Sequence, residues 1–416
     1  MGRKEQRAAL DAACRKTRKN CEKIGKELRE FPGDREGDYF RQNRDDLRRI
    51  GHIFCWTPSF FTGMAALAYR EKGEEEDRKW IEGFYRDYYA KVFEHPWDTM
   101  HDLGFMYTLY STFLYRLTGE ERMRELSLQA ARVLYGRFVP EGRYIRAWGR
   151  MDDTIPDYIG PELREDNFFR ASGGLAIIDC MMNLPLLFWA SEETGDSCYR
   201  MAAMAHADTT LHSFIREDNS VCHAWRFDEK GNSLGEFNDC GYGVGSHWAR
   251  GTAWAVYGFA VAWRYTGSGS YLDAACRLAD KYLEECGGEA VPVWDFRLPE
   301  GEPARYGGKE RVFDSWDITR CENRRFNVDT SAAVILAGGL NEILHKGGAG
   351  KSPREEKYKA YVEKVLDVVT KQYLNMDTDI PGFLSMQNGE GIYAVFGDYF
   401  AMELLAQTAG GYRQIW

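Results

Sequence analysis

The sequence predicts an all-α protein, a closed (α/α)6 barrel of six helical hairpins with one small β-hairpin in a rim loop, and residues 1–416 as a single toroidal domain. Two observations carry this prediction. A junction recurs in which an apolar, aromatic-rich helix stops at glycine and a more charged helix begins, and the connections between such hairpins alternate between short and long. A third observation excludes an open solenoid: the apolar helices start near 58, 102, 179, 247, 329 and 396, too unevenly for a repeat of fixed period.

The junctions read YREKGEEEDRKW, YRLTGEERMREL, SEETGDSCYRMA and RYTGSGSYLDAA. Gly73, Gly119, Gly195 and Gly267 fall where a left-handed residue closes a helix, and the acidic or hydroxyl residues after them suit the next first turn. In chain order, an amphipathic segment near 5–30 comes first. Apolar helices are then expected near 58–71, 102–117, 179–193, 247–265, 329–345 and 396–408. Charged helices follow the first five, near 75–93, 120–137, 196–216, 268–286 and 354–374, and the N-terminal segment supplies the twelfth. Apolar all round means inner ring; charged on one face means outer ring. Long connections span 138–178, 217–246 and 287–328. The second contains SVCHAWRFDEKGNSLGE, which alternates about a turn and reads as the β-hairpin. All three run into inner-helix N-termini, so they gather at one rim, where a barrel of this kind builds a pocket.

Composition narrows the function. With 44% hydrophobic, 14% aromatic and 28% charged residues, the 416-residue chain is globular, and its net charge of −10 excludes a phosphate-neutralising surface and hence nucleic acid as partner. The apolar stretches at 175–190 and 253–263 are interrupted by Asp179, Asn183 and Pro185 or are too short for a membrane span. The start, MGRKEQRAALDAACRK, lacks the apolar block of a secretory signal, so a cytoplasmic location is expected. Ten cysteines include no CxxC pair and eight histidines no HExxH, so neither a metal nor a cofactor is expected; GYGVG is not a dinucleotide fingerprint.

Two aspartates hold corresponding positions, Asp102 in HDLGF and Asp179 in IIDCMMNLPLLFWA, each at an inner-helix start. One reading is helix capping. The other is a carboxylate pair in which burial and mutual repulsion raise one pKa until it can donate a proton near neutrality. In HWARGTAWAVYGF, Arg250 and Trp254 stand four residues apart, near Trp248. Either tryptophan could be core, but Arg250 is costly to bury unless it meets an anion. A guanidinium between indoles suits a sugar ring with a carboxylate held bidentately. Trp56 and Trp148 could add walls to this pocket, and His223, on the hairpin, could touch substrate or be structural.

Together HDLGFMY, IIDCMMNLPLLFWA, SHWARGTAWAVYGF, VPVWDF, DTSAAVILAGGL and FGDYF, in this order across roughly residues 40–410, resemble the unsaturated glucuronyl hydrolases of glycoside hydrolase family 88. The resemblance implies an (α/α)6 barrel, no metal, and hydrolysis of oligosaccharides with a 4,5-unsaturated uronic acid at the non-reducing end, the products of polysaccharide lyases. It makes Asp179 the general acid and base, Asp102 its supporting carboxylate, and Trp56, Trp148, Trp248, Arg250 and Trp254 substrate contacts. Such a substrate is a vinyl ether, so the implied chemistry is protonation at C4 and hydration at C5 rather than attack at C1.

Departures from the family pattern are local. Asp239 and Cys240 stand before Gly241 and Tyr242 where a His and Gln pair is usual, so both are candidate specificity residues near the substrate. FLSMQNGEG lacks a Ser-x-x-Lys that reads sulfate in some relatives, which makes sulfated fragments less suited substrates. Insertions are expected around 151–173 and 301–325. Three other functions compete: a family 105 hydrolase of unsaturated rhamnogalacturonan fragments, an (α/α)6 sugar epimerase, and a non-catalytic sugar binder. Histidine is sparse at the inner-helix starts apart from His101 and His247, which weighs against the epimerase, and both aspartates are present, which weighs against the binder.

Overall fold

The computed structural model describes residues 2–24, 56–152, 154, 173–238, 240, 241, 243–297, 328–348, 352–386 and 393–416. The inner ring consists of α2 (Pro58–Lys72), α5 (Leu103–Tyr107) continued by α6 (Phe113–Thr118), α8 (Leu184–Thr194), α10 (Ala249–Thr266), α12 (Thr330–His345) and α14 (Val395–Ala409). Each packs on the next and α14 packs back on α2, which closes the ring. Outside it lie α1 (Arg3–Lys23), α3 (Glu75–Glu82), α4 (Tyr85–Tyr89), α7 (Glu121–Tyr135), α9 (Ser197–Ser213), α11 (Gly269–Glu285) and α13 (Pro353–Gln372). Helix α1 packs on both α14 and α2, so the N-terminal segment completes the outer ring of the (α/α)6 barrel.

Burial separates the two rings as the residue patterns require. In α10 every residue from Ala249 to Ala262 is buried, whereas α7 buries only Met123, Leu126, Ser127, Ala130, Ala131 and Leu134, one stripe of a 3.6-residue period. Gly73, Gly119, Gly195 and Gly267 close α2, α6, α8 and α10 with φ between 70° and 74°. At the centre Phe60 of α2, Phe105 of α5, Trp254 of α10 and Phe400 of α14 meet edge to face or tilted, and Trp416 stacks on Phe400 at 5.8 Å.

The expected helix positions are met, with local differences that have causes. The expected helix at 75–93 is broken into α3, α4 and a π-helical turn at Ala90–Glu94, and a second π-helical turn, Thr108–Thr112, joins α5 to α6. The helix expected from 179 begins at Leu184, because Pro185 has no N–H to donate and is tolerated only in a first turn. Asp179 lies instead in a 3-10 turn, Ile178–Met182. The expected hairpin is present as β4 (Ala224–Phe227) and β5 (Ser233–Phe237), and it carries a third strand that the alternation did not reveal, β3 (Leu175–Ile177). A further pair, β1 (Phe138–Val139) and β2 (Tyr144–Ile145), precedes them. The insertion expected at 301–325, nearly all of that at 151–173, and residues 25–30 lie outside the described residues.

Candidate active site

Asp102 and Asp179 come together because the helix starts that carry them touch. Gly104, in the first turn of α5, is so close to Asn183 that an added Cβ would lie 2.3 Å from its Cα. Asn183 Oδ1 accepts the Phe105 N–H at 2.7 Å, and its Nδ2 donates to the Asp179 carbonyl at 3.2 Å. The Phe105 N–H is one of the donors an N-terminal aspartate would ordinarily cap. Since Asn183 takes it from the neighbouring turn, Asp102 makes no side-chain cap bond, and the capping reading does not describe it. Asp179 is not at a cap position: the N-cap of its 3-10 turn is Ile177, and that of α8 is Asn183.

The small sheet fixes the rest. Pairing of Ile177 with Ala224 sets His223 opposite Ile178, whose N–H donates to the His223 carbonyl at 2.9 Å. His223 Nε2 is thereby 3.8 Å from Asp179 Oδ2. Its Nδ1 accepts the Cys240 backbone N–H at 3.2 Å, so the ring proton resides on Nε2, the nitrogen facing Asp179. Ala147 is a node between segments: its N–H donates to Leu175 at 2.8 Å and its carbonyl accepts the His101 N–H at 2.9 Å. Trp148 follows directly, with its ring 6.4 Å from His223.

From His223 an aromatic and cationic wall runs round the rim. Trp248 meets His223 edge-on at 5.3 Å, the Arg250 guanidinium lies 4.7 Å from Trp248 and 5.0 Å from Phe396, and Phe396 stacks on Trp56 at 5.3 Å. Arg250 Nη1 donates to Asp329 Oδ2 at 2.6 Å. The anion that its burial demands is therefore supplied by the chain itself. Asp329 caps α12, its Oδ1 accepting the Ala332 N–H at 3.0 Å and the Ser331 hydroxyl at 2.5 Å.

Electrostatics distinguish the pair from the wall. The Asp102 side chain is 14% exposed and that of Asp179 15%. Burial, then repulsion by Asp179, pushes the Asp102 carboxyl up to about 7, while Arg137 and Lys91 pull against the rise. His101 Nε2 is 3.5 Å from Asp102 Oδ1, but burial holds its pKa well below the usual histidine range, so the ring is neutral. Among the described residues no three His, Cys, Asp or Glu side chains gather as a metal site.

Asp102, Asp179, His223, Trp148, Trp248, Arg250 and Trp56 are thus neighbours along one rim. Trp254 is not part of the wall: it is fully buried, between Phe105 and Phe400, because four residues of helix carry it one turn inward from Arg250. Cys240 is half-buried and meets His223 through its backbone; Asp239 lies outside the described residues. Sequence reasoning missed Asn183, Asp329, Phe396 and Arg137. Asp329 could have been found by the rule that found Asp102 and Asp179, since it too precedes an inner helix; Arg137, in an outer loop, carried no signal.

Known proteins resemble this chain in sequence and fold. The family model described as Glycosyl Hydrolase Family 88 matches residues 34–287. An unsaturated glucuronyl hydrolase of Bacillus sp. (strain GL1) is 31% identical over 370 residues, which are 87% of this chain and 88% of that one. An unsaturated chondroitin disaccharide hydrolase of Streptococcus pyogenes serotype M1 is 28% identical over 91% of this chain and 89% of its own. The crystal structure of the Bacillus sp. GL1 unsaturated glucuronyl hydrolase, described as responsible for glycosaminoglycan degradation, superposes with a TM-score of 0.77 at 30% identity, covering 97% of this chain and 96% of that one.

Proposed function

The chain belongs to glycoside hydrolase family 88 and is a glycosidase of oligosaccharides ending in an unsaturated uronic acid; we propose that it works by hydrating the C4=C5 vinyl ether, with Asp179 as acid and base and Asp102 as the neighbour that keeps a proton on the pair. The observation that carries this reading is the Asp102 carboxyl, pushed up to about 7 by burial and by Asp179. Two like charges in one dry site do not both ionise, so near neutrality the pair holds one proton and titrates as a unit.

Asp179 delivers that proton to C4, and the positive charge at C5 is shared with the ring oxygen. Water adds at C5 and returns a proton to Asp179. The hemiketal opens by breaking the bond from C5 to the ring oxygen, leaving a hemiacetal at C1 that expels the aglycone hydroxyl. His223, with its proton on the nitrogen facing Asp179, is suited to donate to a carboxylate or to water, not to act as the base. Trp56, Trp148 and Trp248 give faces for the sugar, and Arg250, already oriented by Asp329, holds the uronate.

The same proposal treats residues 1–416 as one catalytic domain and makes Asp239 and Cys240 specificity residues. Lacking the sulfate-reading Ser-x-x-Lys, the chain is proposed to prefer unsulfated fragments. A cytoplasmic location is part of this reading, supported by ten scattered cysteines of which eight are free thiols in the described residues; cell fractionation tests it. The main test is a panel of unsaturated disaccharides from several lyases, family 105 type substrates included, followed by loss of the vinyl-ether absorbance. Cleavage that leaves the chromophore intact would sink the hydration mechanism.

A further inference from the structure

Arg137 sits just past the end of α7, fully buried, and forms no ion pair among the described residues. All its partners among the described residues are carbonyl oxygens: Nη1 donates to Thr99 at 2.7 Å, Nε to Arg146 at 2.9 Å, and Nη2 to Gly149 at 2.9 Å and Ala147 at 3.4 Å. These carbonyls belong to two loops. Thr99 lies three residues before Asp102, and 146–149 is the segment of Trp148 and of Ala147, which also binds the His101 N–H. One rigid fork therefore sets the separation of the carboxylate from the sugar wall. A buried guanidinium whose described partners are all neutral groups is not offset by a paired anion there, so its charge acts on its surroundings.

We propose that Arg137 is a positioning residue of the carboxylate pair, tying the Asp102 loop to the Trp148 loop and placing beside the pair a positive charge that limits how tightly it holds its proton. This rests on the carboxylate-pair reading above. The groups facing Asp102 are Asp179 from the 3-10 turn, His101 beside it, Lys91 from the π-helical turn and Arg137; His206 and His223 face His101, and Arg146 and Cys180 face Arg137. Among the described residues, Arg137 and Lys91 are the cations that oppose the rise caused by burial and Asp179. Removing a cation disfavours the carboxylate, so the proton persists to higher pH.

The test is the pH profile of kcat/KM on an unsaturated disaccharide for the wild type, Arg137→Lys, Arg137→Gln, Arg137→Met and Asp102→Asn, with unfolding followed by circular dichroism. Arg137→Lys keeps the charge and loses the fork: kcat should drop roughly 10- to 100-fold with the alkaline limb unmoved. Arg137→Gln and Arg137→Met should lose at least as much rate and move the limb to higher pH. A purely structural role would lower the rate at every pH and leave the limb in place in all three, which overturns the proposal. If the neutral variants fail to fold, Arg137→Lys still tests the tie between the two loops, since a rate within about twofold of wild type overturns it. Asp102→Asn separates the two readings: if it keeps the wild-type limb, the carboxylate pair is wrong; if it moves the limb to lower pH while Arg137→Gln leaves it unmoved, only the role of Arg137 is.

Discussion

Two carboxylates, Glu403 fully buried and Asp102 mostly so, occupy opposite situations in this barrel. Glu403, on α14, is surrounded by donors: the Tyr257 hydroxyl at 2.5 Å, and Gln407 Nε2 and Trp416 Nε1 at 3.0 Å each. Burial raises its pKa, and the hydrogen bonds from Tyr257 and Trp416 oppose the rise. Asp102, at the rim, receives no such side-chain hydrogen bond among the described residues and faces a second carboxylate instead. Burial acts on both. What differs is the partner: a satisfied acid fixes core packing, whereas an acid set against a like charge stores a proton for chemistry.

The comparison predicts effects of decreasing size on the reaction. Asp179→Asn should abolish turnover with little change in melting temperature, because an amide cannot deliver the proton; activity within tenfold of wild type would remove Asp179 from the mechanism. Asp102→Asn should cost roughly 100-fold in kcat. The pH dependence follows from the raised pKa of Asp102. Above about 7 the pair loses its proton, so wild-type kcat/KM should fall on the alkaline side, and in Asp102→Asn this limb should move to lower pH, because the remaining acid ionises with no like charge beside it. The same group also links stability to pH: its folded pKa exceeds the ordinary aspartate value, so the folded state binds more protons and its contribution to stability declines as pH rises from about 4 through 7. Denaturant melts across that window, wild type against Asp102→Asn, measure the difference.

Arg250→Lys should raise KM on a free uronate by about tenfold with a smaller change in kcat, since an ammonium cannot make two parallel bonds. Asp329→Asn should act in the same direction by loosening Arg250. Equal handling of a methyl-esterified substrate by wild type and Arg250→Lys would be expected; equal handling of the free acid would refute the assignment. Glu403→Gln is the opposite case, with kcat/KM within about threefold of wild type and a stability loss of roughly 1–3 kcal/mol in denaturant melts. A large rate loss without destabilisation would erase the distinction drawn here. The double change Asp239→His and Cys240→Gln should leave catalysis intact and shift the ranking of disaccharides toward ordinary unsaturated glucuronides; an unchanged ranking removes these positions from specificity.

Helix order, hairpin junctions and ring membership were legible in the sequence because they depend on local causes: a glycine that admits positive φ, a stripe of apolar residues, a proline limited to a first turn. Asp102, Asp179 and Arg250 were legible too, as polar residues where apolar helices begin. Their relations were not. That Asn183 would take the capping bond from Asp102, that Asp329 would be the anion for Arg250, and that Trp254 would turn into the core depend on which helices touch and at what rotation. The same holds for Arg137, whose partners are backbone carbonyls and therefore leave no side-chain signature. Propensity and pattern act within a few residues along the chain, but a pKa near neutrality arises from burial and from a charge 77 residues away in sequence, which only ring closure brings within reach.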